Sequence, residues 1–245
     1  MVSPRPYLRS ISIDWDTAED PDSYPFNIPA VKKLGTLEFH RDVTFIVGEN
    51  GAGKSTLIEA IAMAMGFGAE GGTRNVQVKT ADDISPLSGS LKLARSYKRP
   101  RDWYFLRAES FYNVATYMDK VGYLGGYGGR SLHEQSHGEA FFATLTQKLR
   151  GHGLYILDEP EAALSPSRQL SVLTAIHDLV QRGSQFIIAT HSPIIMAYPN
   201  AKLLVLDEEG IHESTYKDTE HYLITRNFMN YPDSMLQVLL EDETP

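Results

Sequence analysis

The segment Val43 to Ala60, VTFIVGENGAGKSTLIEA, constrains the fold of this chain more than any other. Gly48, Gly53, Lys54 and Ser55 fit the pattern G-x-x-x-x-G-K-[ST]. Val43 to Val47 is a β-rich apolar run of the kind buried on both faces of a sheet, and Leu57, Ile58, Ile61, Ala62 and Met65 recur at helical spacing. Between that strand and that helix, Gly48, Gly51 and Gly53 permit left-handed turns that aim backbone N–H groups inward. With Glu49, Asn50, Ala52 and Thr56 they form a nest for phosphate oxygens at the positive end of the helix. In such a loop Lys54 reaches the β- and γ-phosphates of a nucleoside triphosphate and the Ser55 hydroxyl binds Mg²⁺.

Around this loop, strand-like and helix-like segments alternate. Tyr7 to Asp14 reads as a strand and Asp14 to Pro29, rich in proline and acids, as a loop. Thr36 to His40 is a second strand, followed by a short turn at Arg41-Asp42. Tyr24 and Phe26 are aromatic candidates for stacking on a nucleobase, or for plain packing. Gly66 to Thr73 ends the helix, and the polar residues through Ser90 read as a mobile surface excursion. Trp103 to Arg107 is a strand, Phe111 to Val121 a helix, and Gly122 to Gly129 a glycine-rich hinge. Ser136 to Glu139 opens a helix bearing Ala140, Phe141, Leu145 and Leu149.

Farther on, Leu154 to Leu157, Phe186 to Ala189 and Leu203 to Leu206 are buried strands, and Ile211 to Tyr216 pairs with the last through a turn at Glu209-Gly210. Pro166 to Arg182 is a helix with Leu170, Val172, Leu173, Ile176, Leu179 and Val180 on its apolar face. The expected fold is α/β, with a mostly parallel sheet core, an N-terminal antiparallel β element and an inserted helical subdomain. One domain spans 1–245: a nucleotide-binding core over about 1–66 and 150–217, a flexible arm over about 67–149, and a helical tail over about 218–245.

The strand Leu154 to Leu157 delivers two carboxylates, Asp158 and Glu159, to the sheet end where the phosphate loop also lies. Neighbours on a strand point to opposite faces, so the two take different work. Asp158 belongs on the Mg²⁺ with Ser55, and Glu159 orients the water that attacks the γ-phosphate.

The ordered set Gly48 to Ser55, Ser136-His137-Gly138-Glu139, Leu154 to Pro160, Ala163-Leu164-Ser165 and His191 resembles the motifs of ATP-binding-cassette ATPases over roughly residues 36 to 206. The resemblance implies Walker A, signature, Walker B with catalytic glutamate, D-loop and switch histidine, in that order. It implies a P-loop nucleoside triphosphatase using ATP and Mg²⁺, with Lys54, Glu159 and His191 catalytic and Ser136, Gly138 and Glu139 completing the site of a second copy. The signature departs from the transporter pattern, with His137 where a glycine is usual, and Ser165-Pro166 stands where transporters commonly have aspartate. Ser-His-Gly-Glu and Ala-Thr-His-Ser-Pro are more similar to the soluble branch that includes RecF-like, OLD-like and structural-maintenance-of-chromosomes ATPases. Ser55 and Ser136 are 81 positions apart, which leaves no room for a long coiled-coil arm, and nothing after His191 has the length of a nuclease domain. The family's γ-phosphate-sensing glutamine is absent after Trp103 to Arg107, leaving Glu109 or Gln77 for that role.

The expected function is slow Mg²⁺-dependent ATP hydrolysis by an ATP-sandwiched homodimer that drives or gates an unknown protein partner. Competing readings are a transporter's nucleotide-binding subunit and a binding module that ATP merely locks. The net charge of −8 argues against broad nucleic-acid binding, although Lys92, Arg95, Lys98, Arg99 and Arg101 interleave with Tyr97 and Trp103. Without cysteine, disulfides and thiolate metal sites are excluded. No signal peptide or membrane span is expected, and a cytoplasmic location follows as the default.

Overall fold

A computed structural model describes residues 5–18, 20–73, 85–110, 113–114, 116, 137–162 and 164–240. Its centre is a six-stranded sheet built from β3 (Val43–Gly48), β5 (Asp102–Arg107), β6 (Gly153–Asp158), β7 (Gln185–Ala189), β8 (Lys202–Asp207) and β9 (Gly210–Ser214). The order is β5-β6-β7-β3-β8-β9, parallel except for the antiparallel hairpin β8–β9. Parallel strands need helical crossovers that cover both faces, which is why β3, β6 and β7 are buried along their whole length.

The pleat divides these strands between two cores. Phe45, Val47, Tyr155, Leu157 and Ile188 face the helix Pro166–Gln181 through Val172, Ile176 and Leu179. Ile46, Leu154, Ile156 and Ile187 face the helix Lys54–Ala64 through Leu57, Ile58 and Ile61. A three-stranded antiparallel sheet, β2-β1-β4, covers the outer side of that second helix, with β1 (Leu8–Ile13) between β2 (Leu37–Glu38) and β4 (Leu91–Arg95). The Gln185 side chain ties the two sheets together: its Nε2 donates to the carbonyls of Leu8 and His40, and its Oε1 accepts from Leu8 N at 3.0 Å.

Three features differ from expectation. Part of the segment assigned to a flexible arm belongs to the sheets: Leu91–Arg95 pairs along β1, while the strand expected over Trp103 to Arg107 does form, as Asp102–Arg107 at the edge of the central sheet. The strand expected over Thr36 to His40 shortens to two residues, pairs with β1 and lies outside the central sheet. Leu170 is 58% exposed, because the helix Pro166–Gln181 turns only the stripe from Val172 to Val180 toward the sheet. The glycine run Gly122 to Gly129, most of the expected helix over Phe111 to Val121, Gln77, Ser136 and Ala163 lie outside the described residues. The tail forms two helices, Glu220–Asn230 and Pro232–Leu240. No described helix is long and apolar enough to cross a membrane.

Candidate active site

Strand register gathers the site at one sheet end. Ile46 of β3 lies level with Ala189 of β7, and Ala189 with Asp158 of β6, so the loop after β3, the carboxylates after β6 and the segment after β7 emerge side by side. This is the carboxyl end of the parallel strands, where open α/β sheets bind their ligands. The loop leaves β3 at Gly48, where a Cβ would meet the Leu206 carbonyl oxygen at 2.3 Å, and enters the helix at Gly53, where it would meet the Ile28 side chain at 2.8 Å. Both glycines have positive φ, 149° and 93°, so both need glycine on two grounds.

Lys54 begins the helix almost wholly buried, its Nζ donating to the Glu49 carbonyl at 2.9 Å. Burial lowers its pKa, while the carboxylates of Glu159, Asp158, Glu49 and Glu161 oppose that shift. Ser55 Oγ donates to Asp158 Oδ1 at 3.2 Å. Asp158 is the last residue of β6 and shares a pleat face with Leu154 and Ile156, which turns it toward the helix that carries Ser55. It is 3% exposed, and burial pushes its pKa up to about 6 even against the nearby Arg107 guanidinium. A buried carboxylate beside a hydroxyl, lacking a full counter-charge, is the donor set Mg²⁺ uses when phosphate oxygens and water supply its other ligands, so Ser55 and Asp158 fit that ion.

Glu159 lies beyond the strand. Its φ of 50° turns the chain out of the pleat, and its N–H donates to the Ala189 carbonyl at 3.0 Å. Strand alternation therefore places Asp158 but not Glu159; a left-handed residue aims the second carboxylate. Its Oε1 lies 3.8 Å from His191 Nε2, and that ring nitrogen is buried with no hydrogen-bond partner among the described residues. Burial first, then the Lys54 and His221 charges, lower the His191 pKa, so the ring faces Glu159 as neutral imidazole.

Three participants carry no motif signal. Glu161 accepts from Thr190 Oγ1 at 2.7 Å and from His191 N at 2.5 Å, clamping the loop after β7 to the loop after β6. Arg107 donates to Glu59 Oε2 at 2.6 Å and holds its Nε 3.7 Å from Asp158 Oδ2. His221, from the tail, lies against His191. Glu109, one candidate for the missing glutamine, is mostly exposed and bonded to Arg107. Phe26 is core, packed on Trp15. Tyr24 is exposed, with its hydroxyl 3.1 Å from Thr56 Oγ1. Gly138 and Glu139 lie on the helix His137–Ala143, which packs on Pro166–Gln181 with Arg168 donating to Glu139 at 3.3 Å. A 610 Å³ cleft opens beside Gly48 to Ala52 toward Leu206, Thr219 and His221.

The chain is similar to known proteins in sequence and in fold. A family model described as "AAA domain" matches residues 26–120, and one described as "AAA domain, putative AbiEii toxin, Type IV TA system" matches 123–197. An uncharacterized ABC transporter ATP-binding protein of Haemophilus influenzae is 26% identical over 214 residues, 78% of this chain and 79% of that protein. ABC transporter G family member STR2 of Medicago truncatula is 26% identical over 212 residues, 74% of this chain, which spans only 28% of STR2. Among solved structures, cbiO1 from Clostridium perfringens, part of the ABC transporter complex cbiONQ, shares the fold with a TM-score of 0.51 at 18% identity, over 93% of this chain and 96% of that one. In sequence and fold the chain is thus similar to ABC-class P-loop ATPases.

Proposed function

We propose that the chain binds Mg·ATP on Gly48 to Thr56 and hydrolyses its γ-phosphate slowly, as two copies with ATP between them. The observation that carries this reading is the convergence of the phosphate nest, the Ser55–Asp158 pair and the Glu159–His191 pair at one sheet end. Lys54 Nζ exchanges the Glu49 carbonyl for phosphate oxygens. Ser55 and Asp158 would hold Mg²⁺, which would supply positive charge to offset that of the triphosphate. Glu159 accepts a hydrogen bond from water and aligns its oxygen with phosphorus, so that a new P–O bond forms as the bond to the ADP oxygen breaks. His191 donates to a γ-phosphate oxygen, Glu161 fixes the backbone beneath it, and Tyr24 offers its exposed ring to the nucleobase.

The second half of each site is assigned to Ser136, Gly138 and Glu139 of another copy, because one chain already offers a full nest and a second helix terminus serves a second nucleotide. Ser136→Arg is expected to leave ATP binding by the monomer intact, block ATP-dependent dimerisation and lower turnover at least tenfold. Sedimentation and phosphate release with Mg·ATP check it, and a normal rate with no dimer refutes the sandwich.

The relatives' names favour a second reading, the ATP-binding subunit of a transporter; co-purification with a membrane protein would support it. A third is a module that ATP locks around an effector, marked by an ATP-bound dimer outliving any partner cycle. DNA repair, phage defence and toxin regulation are the processes proposed, the last in line with the second family description. Nucleic-acid binding is expected to be weak and steeply salt-dependent. Lys92 is already paired with Asp14 at 3.0 Å and Arg95 donates to the Ala64 carbonyl, so binding that survives raised salt would overturn this.

A further inference from the structure

His191 is gripped from behind by a residue that no motif includes. His221 Nε2 lies 3.1 Å from His191 Nδ1, and the two rings sit 5.3 Å apart at 52°. His221 is the second residue of the helix Glu220–Asn230, whose start is fixed by Thr219 accepting from Tyr222 N. The tail therefore delivers this imidazole in a set place.

A neutral imidazole carries one N–H, so two ring nitrogens in contact allow two arrangements. If His191 donated from Nδ1, its Nε2 would present a lone pair to the Glu159 carboxylate and to incoming phosphate oxygens, all of them acceptors. If His221 donates from Nε2, His191 keeps its proton on Nε2, aimed at those acceptors. The second arrangement gives His191 Nε2, buried and without a hydrogen-bond partner among the described residues, a donor role that a phosphate oxygen would complete. Burial holds His221 neutral as well, with the Glu49 carboxylate opposing that shift and the Lys54 ammonium adding to it.

We propose that His221 is a positioning residue: by donating to His191 Nδ1 it fixes the ring and the Nε2–H tautomer with which His191 meets the γ-phosphate. This rests on the γ-phosphate role proposed above for His191. It makes the C-terminal helix part of the active site, so that a displacement of Glu220–Asn230 withdraws the donor that orders His191.

The test uses the full chain as His221→Ala, His221→Gln, His191→Ala and the His191→Ala/His221→Ala double variant, with ATP affinity, single-turnover phosphate release and the ¹⁵N shifts of the His191 ring as readouts. His221→Ala is expected to keep ATP affinity within about threefold and to lower turnover about tenfold, the order of one lost hydrogen bond. The His191 ring should then shift toward mixed tautomers. His221→Gln, whose amide N–H can donate from a similar place, should recover most of the rate and the wild-type shifts. In the His191→Ala background, removing His221 should cost nothing further. Equal losses in both backgrounds, or unchanged ring shifts in a folded His221→Ala protein, would overturn the proposal. Should His191→Ala itself turn over normally, the γ-phosphate role falls, and the ring shifts still decide whether His221 sets the tautomer.

Discussion

Glu159→Gln is expected to bind ATP as tightly as the parent protein while turnover falls by about 10²–10⁴-fold, the range for losing a positioned general base. The side chain is 40% exposed at the mouth of the site, and its backbone N–H is secured to the Ala189 carbonyl, so the amide should keep the loop's shape. What the amide loses is the anionic acceptor proposed to align water. Lys54→Ala should behave in the opposite way. Its ammonium is buried beneath the nest with the Glu49 carbonyl as its neutral partner, and no other described cation is placed to meet triphosphate from within the loop. ATP affinity should fall by about 10²-fold or more, the order expected when a charge-assisted phosphate contact is lost. Calorimetry and phosphate release on both variants separate binding from chemistry, and an equal loss of ATP binding in the two would remove Glu159 from the water-orienting role. With Mg·ATP, the Glu159→Gln protein should also accumulate as a dimer in sedimentation, since it can close around ATP but cannot discharge it.

Much of this site could be read from local pattern, because each motif needs particular residue types within a few positions of one another. Gly48 and Gly53 are demanded by backbone approach to Leu206 and Ile28, and that demand shows in the sequence as glycine. The pleat of β6 shows as alternation, and it does carry Asp158 to Ser55. Where position depends on a single dihedral, pattern fails: Glu159 is aimed by its left-handed φ and not by alternation. Long-range bonds are equally silent. Glu161 meets Thr190 and His191 across about thirty residues, and His221 meets His191 at the same remove, so neither carries a local signature. Among the elements, Leu91–Arg95 carries little apolar alternation because its side chains are half or fully exposed; the bonds along β1 make it a strand. The strand order, with β3 inserted between β7 and β8, is a property of crossovers that no segment encodes alone.

Asp158→Asn should abolish Mg²⁺-dependent turnover and yet stabilise the nucleotide-free protein. Burial raises the Asp158 pKa from 3.8 to about 6, so the folded state binds this proton more tightly than the unfolded chain does. Below about pH 4 the group is neutral in both states and its charge has no effect on stability. As pH rises from there through about 6, the unfolded chain ionises first and the folded state loses ground, after which the deficit stays constant. A displacement of that size corresponds to about 3 kcal/mol at neutral pH. Asparagine removes the deficit and can still accept from Ser55, while Arg107 keeps its 2.6 Å contact with Glu59, so most of the gain should survive. At about 2–4 °C per kcal/mol for a chain of this size, the melting temperature should rise by several degrees at pH 8, and the difference should vanish as pH approaches 4. Mg·ATP should raise the melting temperature of the parent protein more than that of the variant, because the cation supplies the counter-charge that the buried carboxylate lacks. Thermal melts in chelator between pH 4 and 8, repeated with Mg·ATP, read all of this. A variant less stable than the parent at pH 8 would mean that Arg107 already neutralises Asp158 in full, and that the carboxylate is a structural ion-pair partner and not a site held ready for Mg²⁺.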